Sequence, residues 1–181
     1  RLGLRHVEVD AIVRDQGGTF GPDPLPRVAW VEAYREGHRR LGDLLAGGEP
    51  AVWDAVSFRW SHREALRRLA TRSGRTSRLV WVDPAGAEIG RRRAENRLVP
   101  RRGDVPEAEF AGVAAGFQAP RPEEGATRYD PEMMTLDDLV AILTGPGGRD
   151  GAGDAAARTF TGEPVLGCRT PILPAPPPVD A

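Results

Sequence analysis

The chain has 181 residues, 40% of them hydrophobic and 28% charged, a composition that fits one soluble globular domain with a sizeable core. No apolar run approaches the roughly 20 residues of a membrane-spanning helix, and no signal-like segment opens the chain, so no membrane partner and a cytoplasmic location are the default expectations. The single Cys168 excludes an internal disulfide framework and any multi-cysteine metal site. The formal net charge of −1 is unevenly spread: residues 1–102 carry 20 Arg against 13 acidic residues, and 103–181 carry 5 Arg against 13. A basic first half suits a polyanionic ligand. Lys is absent and Ala, Gly and Pro are abundant, so GC-rich coding inflates the arginine count and position weighs more than number.

Residues 1–3 read as the last turn of a helix stopped by Gly3, a chain that starts in mid-element. Residues 6–9 (HVEV) then predict a strand ending at Asp10, from which 11–14 turn away. Residues 17–26 (GGTFGPDPLP) are a breaker-rich loop. Trp30, Tyr34, His38, Leu41 and Leu45 recur at three- and four-residue spacing and predict an amphipathic helix stopped by Gly47 and Gly48. Residues 51–56 (AVWDAV) form an apolar run of the kind buried on both faces of a parallel sheet, with Asp54 inside it as a carboxylate that would be costly to bury alone. Ser61 with Glu64 predicts a capping box opening a helix with Ala65, Leu66, Leu69 and Ala70 on its apolar stripe.

Residues 78–82 (RLVWV) predict a third strand, closed by Asp83 and Pro84. The stretch 88–102 is the most charged of the chain, with Arg93 and Arg97 one helical turn apart and Arg101 and Arg102 beyond Pro100. Asp104 with Glu107 opens a helix bearing Phe110, Val113, Ala114 and Phe117; residues 126–130 predict a short fourth strand; Thr135 caps a last helix with Leu136, Leu139, Val140 and Leu143. Residues 144–181 are rich in Gly, Pro and Ala without apolar periodicity, and are expected to be a disordered tail. Strands alternating with helices over 1–143 predict a single α/β domain with a parallel sheet, whose ligands sit outside the carboxyl ends of the strands. Asp10, Asp54 and the turn 57–60 fall at those ends.

Four segments in this order, VEVDAI at 7–12, AVWDAVSFRWSHREAL at 51–66, RLVWVDPAGAEIGRRRAENR at 78–97 and FQAPRPEEGATRYD at 117–130, resemble the P-loop kinases of the group that includes polynucleotide kinases, chloramphenicol phosphotransferase and zeta toxins. The resemblance covers about residues 1–143 and implies an ATP-dependent phosphotransferase, using ATP and Mg2+, that moves the γ-phosphate to a hydroxyl of a nucleoside, a polynucleotide end or a small metabolite. Nucleic acid enters as a substrate only, and the oligomeric state is open. The family's phosphate-holding G-x-x-x-x-G-K-[ST] loop is absent, with no Lys anywhere in the chain, so the chain by itself is expected to be inactive. The alternative is a non-catalytic kinase remnant that binds an anionic partner. The position that matches the family's Arg three residues after the Asp is Val13, with Arg14 one residue later, and Gln118 stands where Glu is usual. In this fold the strand before the phosphate loop is central, so the resemblance implies the order 6–9, 51–56, gap, 78–82, 126–130, with no direct pairing between 51–56 and 78–82.

In that reading Asp10 is the general base that takes the proton of the attacking hydroxyl, against the plainer role of a cap for 11–14. Asp54, placed with Arg14 on the substrate-binding side, orients the acceptor-site arginine or a magnesium-bound water, against a strand-end carboxylate satisfied by turn amides. Arg97, with Arg93, Arg101 and Arg102, forms a lid over about 88–104 that clamps phosphates, because guanidinium forks match phosphate oxygens; the plainer reading is a solvated helix face. Arg63, Arg67 and Arg68 are expected to be such a solvated face. The three His lack ligand spacing, so no metal site built on them is expected, and His38, Trp53 and Trp81 are expected in the core.

Overall fold

The computed structural model describes residues 2–20, 25–98 and 105–145. Of the expected tail 144–181 only 144 and 145 are described, with Thr144 the last residue of a helix and not part of a tail, and the 99–104 part of the expected lid 88–104 lies outside the described residues. Strand β1 (Arg5–Glu8) pairs in parallel with β2 (Ala51–Asp54), in a register running from Arg5↔Ala51 to Glu8↔Asp54. Parallel neighbours need a long crossover, and here it is α1 (Val9–Asp15) followed by α2 (Arg27–Ala46). The first strand thus ends one residue earlier than predicted, and Val9 opens α1 as one of its buried residues.

Side chains alternate across this two-stranded sheet. Val7 and its partner Trp53 lie on the face toward α2, where the His38 ring stacks on Trp53 with centroids 4.9 Å apart and planes 5° off parallel. The helix can approach that closely because position 37 is glycine: a Cβ there would sit 3.0 Å from the Trp53 ring and 3.3 Å from Ile12 Cδ1. Val52 and Asp54 point away from this core and are exposed. The expectation of a strand buried on both faces is therefore corrected: β2 is covered on one face, and the Asp54 carboxylate, 65% exposed, has no desolvation cost to offset.

The core consists of Val7, Val9, Ile12, Val13, Ala33, Leu41, Leu45 and Ala70, with Trp53, Leu66 and Leu69 packed against it. Ala70 comes from α3 (Trp60–Arg72), which starts at Arg59 without a side-chain cap. The predicted Ser61–Glu64 box does not form. The helix begins two residues too early for it, and Glu64 instead accepts from Arg67 and Arg68 at 2.8 and 2.9 Å.

The second group of elements contains β3 (Val80–Val82), α4 (Gly86–Leu98), α5 (Glu107–Ala115), a 3-10 turn at Pro122–Glu124, β4 (Thr127–Tyr129) and α6 (Leu136–Thr144). Strands β3 and β4 pair in parallel, Val80↔Thr127 to Val82↔Tyr129. Thr135 caps α6 as predicted: its Oγ1 accepts from Asp138 N at 3.2 Å while the Asp138 carboxylate accepts from Thr135 N at 3.1 Å. Among the described residues no ladder joins β2 to β3, so the strands form two separate two-stranded sheets. Every buried apolar side chain described lies between Val7 and Ala70, and Trp81 is only half-buried.

The two groups meet where the turn after β2 receives the segment before β4. Phe58 O accepts from Gln118 N at 2.8 Å, and Gln118 Oε1 accepts from Trp60 N at 2.8 Å. Arg63, expected on a solvated face, is instead buried here against Glu124, whereas Arg67 and Arg68 are exposed as expected. No helix of the described residues is long and apolar enough to cross a membrane.

Candidate functional site

Parallel pairing sets the carboxyl ends of β1 and β2 side by side, with Glu8↔Asp54 as the last pair. Asp10 follows two residues later, in the first turn of α1, where a carboxylate interacts favourably with the helix dipole. The cap position itself is Glu8, whose side chain makes no capping hydrogen bond, so Asp10 lies inside the helix it was read as capping. Asp10 and Asp54 thus sit at one edge of the sheet. Asp54 Oδ2 is 3.1 Å from His6 Nε2, a cross-strand pair between exposed side chains.

Tyr34 reaches the same edge from α2. Its hydroxyl donates a long hydrogen bond of 3.4 Å to the carbonyl of Val56, two residues past the end of β2. Burial, and then the negative charge of Asp10, push the phenol up to about 12, which keeps it protonated beside that carboxylate. The sequence places Tyr34 in the apolar stripe of its helix, and spacing alone does not show that its hydroxyl clears the core. His6 is legible as a partner for Asp54 only once the strand register is known.

Arg14 is occupied by Glu8 at 3.2 Å and lies 5.8 Å from the centroid of the Phe20 ring. Further along the chain, the helix α4 carries Arg93 and Arg97 one turn apart, as the spacing predicts. Both engage Glu107 of α5, Arg93 at 3.0 Å and Arg97 at 3.7 Å from the same carboxylate oxygen. Arg93 also donates to Val105 O at 3.2 Å and lies 4.1 Å from the Phe110 ring centroid. Arg101 and Arg102 lie outside the described residues. The candidates therefore fall into two sets, Asp10 and Asp54 at the strand ends and Arg93 and Arg97 against α5.

The donor set bears on the nucleotide and metal that the resemblance implies. Among the described residues no group of three or more His, Cys, Asp or Glu is placed to hold a metal ion. Magnesium binds through one or two carboxylates plus substrate phosphates, so Asp10 and Asp54 fit it only together with a nucleotide. For the phosphates the described residues offer guanidinium groups, and the sequence has no Lys-bearing glycine loop whose amides would cradle them. Chemically, the strand-end edge can accept a proton and orient a polar substrate, and the arginines of α4 can, as a separate set, neutralise an anion.

No curated protein and no solved structure gives a significant match to this sequence. The family model described as an AAA domain matches residues 1–120, a span that contains β1, β2, β3, the arginine helix and every candidate residue named above. Since that match covers well over half of the 181 residues, the chain belongs to the AAA domain family, a P-loop NTPase-type group of kinase-like nucleotide-binding domains.

Proposed function

We propose that the chain is the acceptor-and-lid part of an ATP-dependent phosphotransferase, within a kinase-like domain over 1–143, that acts on a hydroxyl of a nucleoside, a polynucleotide end or a small metabolite. The observation that carries this reading is the placement of Asp10 and Asp54 at the adjoining ends of two paired parallel strands in a chain of this family. ATP would supply the transferring phosphoryl group and Mg2+ would offset its charge. Asp10 takes the proton of the acceptor hydroxyl, a step that contributes typically about 10²–10⁴-fold in rate. Asp54, with His6 on its carboxylate, orients the acceptor, and Arg14 leaves Glu8 to assist. Arg97, with Arg93, Arg101 and Arg102 in the lid 88–104, leaves Glu107 to hold phosphate oxygens.

The phosphate loop, and the central strand that leads into it, are in this reading supplied by a segment that the described residues do not contain. The unpaired edges of β2 and β3, with Val52 and Val82 exposed beside them, support that placement. The absence of Lys favours a second reading, in which the chain binds an anionic partner without turnover.

Joining a strand and a G-x-x-x-x-G-K-[ST] loop ahead of Arg1 tests both. The chain alone should show no ATP-dependent phosphate transfer, and the extended protein should transfer phosphate to a nucleoside, a 5′-hydroxyl oligonucleotide or a small alcohol. Asp10→Asn in the extended protein should lose about 10²-fold or more in turnover while nucleotide affinity holds. Parallel loss of nucleotide binding would make Asp10 structural, and an extended protein that folds and binds ATP without turnover would favour the second reading.

A further inference from the structure

The two half-sheets share no ladder bond, and among the described residues no strand or helix of one group packs extensively on one of the other. Their connection is the seam between 57–63 and 116–124, and Arg63 is at its centre. Its Nε and Nη2 donate to the two oxygens of Glu124 at 2.7 and 2.9 Å, and its Nη1 donates to Ser57 O at 3.1 Å. The two side chains are only 7% and 10% exposed. Glu124 in turn accepts from Arg121 N at 2.8 Å, which closes the 3-10 turn ahead of β4. One guanidinium therefore ties together the turn after β2, the first turn of α3 and the approach to β4.

A forked, buried pair has a single geometry, whereas an exposed ion pair has many. Units joined by a small interface otherwise move relative to one another. We propose that the Arg63–Glu124 pair is the clasp that fixes the separation and orientation of the two half-sheets. It thereby sets how far the strand-end carboxylates stand from the arginines of α4. Arg63 and Glu124 are positioning residues, not catalytic ones. The bearing on phosphate transfer rests on the proposed function, while the statement about the two halves stands without it.

The test is a spin-label distance measurement on the full chain, with Val28→Cys in α2, Ala141→Cys in α6 and Cys168→Ser, and with circular dichroism to check the fold. The parent should give one narrow distance distribution. Glu124→Gln, which leaves the guanidinium without its charged partner, should shift that distribution and roughly double its width, as expected for units freed to move. Glu95→Gln, which removes an exposed pair on α4, should leave it unchanged. An unchanged distribution in folded Glu124→Gln would overturn the clasp. If that variant does not fold, Arg63→Leu combined with Glu124→Leu leaves no buried charge unpaired and decides the matter: a folded chain with a broadened distance supports the proposal, and one with the parent distance overturns it. No nucleotide enters the measurement, so its failure is distinguishable from failure of the phosphotransferase reading.

Discussion

The two halves of this molecule are similar in sequence pattern and different in burial. The group from β1 to α3 closes a core around Val7, Val9, Ile12 and Val13, each no more than 4% exposed. In the group from β3 to α6, the helix α6 (LDDLVAILT) has no buried residue, and Leu136 and Ile142 are 60% and 45% exposed. Apolar content does not account for the contrast. A two-stranded sheet is stable only when something covers it. The first sheet has α2 across one face, with α1 packed on α2 in the crossover between its own strands, whereas among the described residues the second sheet has three-residue strands and no buried apolar side chain from α4, α5 or α6. Burial belongs to the pair of surfaces and not to the segment.

The comparison would break first on a paired substitution. Ile12→Ala, at 1% exposure, should cost about 4 kcal/mol in urea unfolding, the sum of lost transfer energy and the cavity left behind. Ile142→Ala in α6 should cost less than about 0.5 kcal/mol, because there is no cavity to create at a surface position. Equal costs would show that α6 is buried in solution, and would close the difference between the halves.

A smaller effect is expected at the seam. Glu124→Gln should cost about 3 kcal/mol, because it leaves a buried guanidinium without its charge partner. Arg67→Gln, whose pair with Glu64 is exposed on the arginine side, should stay within about 0.5 kcal/mol. Two arginines four residues apart on α3, read alike from the sequence, would then differ several-fold, and a matching cost at both would return Arg63 to the solvated face.

These contrasts show where the sequence was legible. The order of elements could be read because β2 and β3 are short apolar runs and α2, α3 and α6 carry apolar residues at helical spacing, and the cap at Thr135 because both partners lie within one turn. The position of Asp10 and Asp54 at one edge followed from strand direction alone. Arg63 was not legible, because its partner lies 61 residues away in a segment whose placement depends on the sheet. Asp54 was misjudged for a related reason: an unbroken apolar run carries no mark of which face will find a cover. The engagement of Arg93 and Arg97 by Glu107 was equally hidden, since like charges along one helix say nothing of the acid on the next.

The smallest expected effect concerns pH, and it too divides the halves. His6, His38 and His62 all lie in the first group, and no His follows them in the chain. His62 is 9% exposed, meets Phe58 edge-on at 5.3 Å, and its Nε2 has no hydrogen-bond partner among the described residues. Burial first, and then the positive charges of Arg59, Arg63 and His38, hold its imidazole below the ordinary value; burial does the same to His38. The unfolded chain binds a proton at each near pH 6.5, and the folded chain binds it only at lower pH. Between those values the unfolded state holds more protons, so stability is complete above about pH 6.5 and falls as the pH drops through the window. The depressed carboxylates of the second group, Glu124 held down by hydrogen bonds from Arg63 and Asp138 by those from Thr135, behave with the same sign but only in the acid range, where stability is lost as the pH falls through their lowered values. Stability compared by urea unfolding at about pH 7.5 and about pH 5.5 should therefore report the first half alone. His62→Phe keeps a ring beside Phe58, removes the buried titration and gives up no hydrogen bond from Nε2. Its loss of stability over that interval should be smaller than the parent's, and an equal loss would place the titrating group elsewhere.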